Sequence, residues 1–192
     1  MALPRNPLNF LFRPWSPVER VTSGVPVIET NHANIHEGRA FELSGTLAVS
    51  AGQIGAVKIP VPEGAYIHFQ AADFTADGGP VTAKLIEDAT FTDASEVSKT
   101  PVCLHRINPP SSIVAATVYG NVTVQNGDSP LTVRELYIPA NVQGSQRLSW
   151  HNGTPNEVIL QSGVNYLVTI ANGGSSTVNI GYYLFWYEES AA

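Results

Sequence analysis

The chain is poor in cysteine, in charge and in long apolar runs, and each shortage excludes something. It has one cysteine, Cys103, so no disulfide can form within the chain and no cysteine-rich zinc cluster is available. In its apolar surroundings Cys103 reads as a small buried hydrophobe. Only 14% of residues are charged, and the 10 basic residues are scattered in a chain of net charge −6, so no basic stripe for nucleic acid is present. No apolar stretch approaches the length of a membrane span. The first residues, broken by Pro4, Pro7 and Asn9 with no small-residue cleavage site after them, are not a signal peptide. The expectation is a protein made and kept in the cytoplasm, without cofactor.

Helical periodicity is also missing, and what replaces it is punctuation. The 192 residues include 16 glycines and 14 prolines, which is many turns for a chain long enough to bury one core. From Gly38 onward, about ten segments alternate apolar and polar residues between Gly, Pro, Asn and Asp. Phe41, Leu43, Leu47 and Val49 share one face, as do Ile67, Phe69 and Ala71, and later Val178, Ile180, Tyr182, Leu184 and Trp186. Residues 89 to 99 are polar and read as a loop or one helical turn, and 102 to 107 as a short strand. The closing stretch, 163 to 188, reads as a β-hairpin turning at Asn172-Gly173-Gly174-Ser175. The pattern predicts an all-β fold over 39–190: a two-sheet antiparallel β-sandwich, with the jelly roll as its commonest eight-stranded form.

Residues 1–38 differ. Five prolines, from Pro4 to Pro26, block helix and disfavour sheet positions, yet Phe10, Leu11, Phe12 and Trp15 are there. A merely disordered tail is usually poor in aromatics. The segment reads as an extended arm whose aromatics dock either on this protein's own sandwich or on a neighbouring subunit.

Candidate chemistry is sparse. His32 and His36 stand four apart, but Pro26 and Gly38 bracket a segment without helical pattern and no third ligand is evident, so they read as loop histidines. His68, His105 and His151 read as half-exposed strand or turn residues, because no nucleophile is matched to them. No serine stands in a Gly-x-Ser-x-Gly elbow, and there is no phosphate loop or dinucleotide fingerprint. Glu87-Asp88 and Glu188-Glu189 read as solvated strand ends, each pair split across two faces. Trp186 is in phase with the core and reads as buried; Trp150, beside His151, Asn152 and Gly153, is the candidate sugar platform. Asn121 and Asn152 match glycosylation acceptors that, without a secretion signal, read as chance.

Three elements together resemble a known family: Ile35-His36-Glu37-Gly38-Arg39-Ala40-Phe41 opening the first strand, Leu160 to Ala171, and the terminal Leu184-Phe185-Trp186-Tyr187-Glu188. In this order they are similar to the head decoration, or cement, proteins of tailed bacteriophages, over about residues 35–188. The resemblance implies a β-sandwich, often trimeric, that binds the outer surface of a phage head and stabilises the shell. Its partners would be the major capsid protein and neighbouring copies of itself, in a homotrimer, with no nucleic acid and no membrane. It implies a virion location after assembly in the host cytoplasm, and brings no catalytic residue. It also gives the arm a role, with Phe10, Phe12, Arg13 and Trp15 as candidate partner-binding residues. The alternative is a tail or fibre module that recognises a cell-surface glycan.

Overall fold

A computed structural model describes residues 30–92, 95–107, 109–125, 130–139, 146–150 and 157–190. Among these are one short helix and thirteen strands. In chain order they are α1 (Thr30–His36), β1 (Ala40–Val49), β2 (Ile54–Pro60), β3 (Ala65–Ala76), β4 (Val81–Glu87), β5 (Thr90–Thr92), β6 (Ser95–Ser98) and β7 (Val102–Cys103). Then follow β8 (Thr117–Gln125), β9 (Leu131–Ile138), β10 (Gln146–Ser149), β11 (Val158–Leu160), β12 (Asn165–Asn172) and β13 (Val178–Ser190).

The strands form two antiparallel sheets packed as a sandwich. Sheet one runs β10-β3-β13-β1-β7, with β11 also on β3; sheet two runs β5-β8-β2-β12-β4-β9, with β6 also on β8. The quartet β1-β13-β3-β10 therefore faces β2-β12-β4-β9, and the chain changes sheet at β1–β2, β2–β3, β3–β4, β6–β7, β7–β8, β9–β10, β11–β12 and β12–β13. This is the strand order of a jelly roll. The insertion between β4 and β9 widens both sheets on the β1/β2 side. The core lies between the layers, with Phe41, Phe74, Leu85, Ile170, Leu184 and Trp186 almost wholly buried.

The closing stretch is not a hairpin. Its alternation is real, but β12 pairs with β2 and β4 while β13 pairs with β1 and β3. Period-2 patterning says that one face of a strand is buried, and either a hairpin or an arch between opposed sheets satisfies that. Here the turn crosses the sandwich, and Asn172 fixes the corner. Its side chain, almost fully buried, donates from Nδ2 to Val49 O (2.9 Å) and Ser176 O (2.8 Å) and accepts from Gly174 N (2.9 Å).

Other segments differ from their pattern. Within 89–99, β5 and β6 both pair with β8, whose length offers partners to strands too polar to be recognised alone. The run from Val102 is a strand only to Cys103, where it pairs with Phe41 and Glu42 of β1. Residues 30–36, at the end of the proline-rich segment, are helical rather than extended. The helix stops at Gly38, whose φ of 72° allows Gly38 N to reach Ile35 O (3.1 Å) and Arg39 N to reach Asn34 O (2.9 Å). That double bond pattern is a glycine C-terminal cap, available here because glycine enters the left-handed region without strain. Phe10, Phe12, Arg13 and Trp15 lie outside the described residues.

Candidate functional site

Two polar assemblies meet at the end of sheet one where β13 finishes. β13 is an interior strand, so its last residues are flanked on both sides. Continuing its alternation places Glu188 on the core face with Trp186, and Tyr187 and Glu189 on the outer face.

Glu188 is buried, and three donors surround its carboxylate. Oε1 accepts from Ser112 Oγ (2.5 Å) and from the indole Nε1 of Trp186 (3.0 Å), and Oε2 accepts from Ile113 N (2.9 Å). A buried carboxylate is tolerated only with such compensation. Its effect is to fasten the segment between β7 and β8 to the middle of the sheet. Further fastenings are Leu104 N to Ala40 O (2.9 Å) and the Cys103 thiol, which donates to Gly38 O (3.6 Å). The fastened segment turns apolar side chains outward: Ile107 is 74% exposed and Ile113 43%, and Val102 of β7 beside them is 44% exposed.

On the outer face His68 lies flat on Tyr187, ring centroids 4.4 Å apart. Its Nδ1 meets Glu157 and its Nε2 lies 3.3 Å from Glu189. Tyr187 donates to the same Glu157 oxygen (2.6 Å), and Arg39 joins Glu189 (3.0 Å) to Glu37. Burial opposes ionisation of Glu157, but bonds from Tyr187 and His68 outweigh it and hold the carboxyl below its ordinary range. Burial, then Glu157, pushes the Tyr187 phenol well up. Chemically this is a clasp. Both imidazole nitrogens face carboxylates, and the two acids lie on opposite sides of the ring, so they do not converge on one metal position. Among the described residues no group of three or more His, Cys, Asp or Glu is placed to hold a metal, and no helix is long and apolar enough to cross a membrane.

Glu188-Glu189 are not solvated strand ends: one is buried and fully engaged, the other belongs to the clasp, because β13 is central rather than an edge. They do point to opposite faces. Glu87 likewise accepts from the Tyr166 hydroxyl (2.8 Å). Trp150 is no exposed sugar platform; it is 5% exposed and packs edge-on against Phe69 and Phe74, with centroids 6.3 and 5.4 Å away. His151, Asn152 and Gly153 lie outside the described residues. Trp186 is buried, as its phase predicts. His32 and His36 do share a helix, at its i and i+4 positions. His105 lies beside the Gly38 cap. No family model, no curated protein and no solved structure matches this chain.

Proposed function

We propose that this chain is a non-enzymatic virion structural protein, a decoration or cement protein that binds the outer surface of a phage head and stabilises the shell. The observation that carries the reading is the segment between β7 and β8. It exposes Ile107 and Ile113, beside the exposed Val102 of β7, yet the buried Glu188 carboxylate and β1 hold it in place. Exposed apolar side chains on a pre-ordered backbone suit protein association, because little ordering entropy is lost on binding. The sandwich supplies a rigid body, and the resemblance to decoration proteins supplies the partner class: the major capsid protein and further copies of this chain, as a homotrimer. Several weak contacts made at once by a trimer add up through avidity. Phe10, Phe12, Arg13 and Trp15 would add a second contact from the N-terminal arm, since aromatics and arginine are favoured anchors.

The test is binding of the purified protein to particles that lack it. Ile107→Asp together with Ile113→Asp places charges in the contact at exposed positions, where folding is little affected. Occupancy should fall by about tenfold or more. Undiminished occupancy by a folded double variant would remove the segment from the contact. The second reading is a tail or fibre module that recognises a cell-surface glycan. The buried Trp150 does not favour it, but a polar notch elsewhere on sheet one does.

A further inference from the structure

The outer face of sheet one carries a column of aromatics along β13: Tyr183, Phe185 and Tyr187. The column stops at Gly181. There the register sets Gly181 between Thr46 of β1 and Thr75 of β3, and Tyr183 between Ser44 and Asp73. A Cβ at position 181 would lie 2.5 Å from Thr75 Oγ1, so only glycine leaves both the bare peptide floor and the threonine hydroxyl in place. The result is an open depression of about 720 Å³. That volume lies within the range of small-molecule clefts.

Its chemistry is specific. Ser44, Thr46 and Thr75 offer three aliphatic hydroxyls, Asp73 a carboxylate and Tyr183 an aromatic ring. The backbone of Gly45 and Tyr182 completes the floor, while the Tyr182 side chain points the other way, into the core. Among the residues whose side chains are described, no lysine, arginine or histidine lines the notch; Arg147 of β10, which pairs in register with Thr75, lies outside them. Tyr183 stays a neutral phenol, since burial and then the neighbouring Glu42 and Asp73 carboxylates push its ionisation up.

Three hydroxyls, a carboxylate and one aromatic face among the described lining residues match a neutral ring that carries many hydroxyls. The aromatic face takes the C–H side of such a ring, and the threonines, serine and Asp73 exchange hydrogen bonds with its hydroxyls. Anionic sugars are rejected by Asp73 and Glu42, which lie close enough to act as repulsive elements. We propose that this notch is a subsite for a neutral pyranose of a glycan. The site goes beyond shell decoration and is independent of where on a particle the protein sits.

The test is an NMR titration of the full-length protein with methyl glucoside, methyl galactoside, methyl mannoside and N-acetylglucosamine, with methyl glucuronide as the anionic control. The expected result is that at least one neutral sugar shifts the amides of Thr46, Thr75 and Gly181, and that the glucuronide binds about tenfold more weakly or not at all. Thr46→Arg, at an exposed position, fills the notch and should weaken binding by about tenfold or more; Tyr183→Ala, which removes the wall, should do the same. Because Tyr183 is half-buried, the Thr46 variant keeps the test valid if the tyrosine variant does not fold. No shifts with any neutral sugar, shifts confined to other residues, equal binding of the glucuronide, or undiminished binding by Thr46→Arg would each overturn the proposal.

Discussion

Glu188→Ala removes the central fastening of the β7–β8 segment, and its effect can be worked from the geometry. The carboxylate accepts from Ser112 Oγ, Trp186 Nε1 and Ile113 N. Ser112 keeps an alternative, because its hydroxyl lies 3.2 Å from Val114 O. Ile113 is half exposed, so water can reach its amide in part. The indole N–H of Trp186, in a side chain with no exposed surface, has no substitute. An unsatisfied buried donor costs about 1–3 kcal/mol, and bonds to a charged acceptor are at the upper end. With part of a second donor lost as well, the variant should be about 3–4 kcal/mol less stable. Glu188→Gln keeps the volume and one acceptor oxygen but turns an amide donor toward the other donors, so its loss should be about half as large. Urea unfolding measures both, read as a lower midpoint at unchanged slope. Hydrogen exchange should show faster exchange across 104–116 in the alanine variant. A loss below about 1 kcal/mol, or equal losses for alanine and glutamine, would refute the reasoning.

Three further outcomes follow from named contacts. Asn172→Ala, which removes three hydrogen bonds at the β12–β13 corner, should lower stability by about 2–3 kcal/mol in the same urea assay, whereas Ser175→Ala, at an exposed position of the same turn, should leave the midpoint almost unchanged. The Glu157 carboxyl is held below its ordinary value of 4.5, so its contribution is present above that pH and is lost as pH falls through the folded value; Glu157→Gln should flatten the acid limb of a stability-versus-pH curve. Burial, then Glu87, pushes the Tyr166 phenol up to about 12 from 10.0, so the unfolded chain releases its proton first; stability should be whole below pH 10.0 and fall as pH rises toward 12, less steeply in Tyr166→Phe.

Much of the sandwich is legible in the sequence because β1, β3 and β13 each bury one face and show it as alternation. Partner choice is not. The arms of the closing stretch carry the same signal whether they lie side by side or in opposed sheets, and the deciding interaction, Asn172 with Val49, joins residues 123 positions apart. The helix at 30–36 is too short for an apolar stripe, although Gly38 carries a stop signal at its end. Glu188 is the clearest missed signal. It continues the phase of Leu184 and Trp186, so the alternation itself places a carboxylate in the core; its charge alone suggests solvent. The His68 clasp has no local signal, since Glu157 is 89 positions away. Trp150 next to polar residues resembles an exposed platform, and only the pairing of β10 with β3 turns it onto Phe69 and Phe74. The notch at Gly181 needs the register of three strands at once.

The central claim is shell decoration, and copy number tests it most directly. Quantitative mass spectrometry of purified particles gives the ratio of this chain to the major capsid protein. A ratio within a small factor of one is the predicted result, because a cement protein covers the shell. A ratio far below that would contradict decoration and place the chain in a tail or fibre.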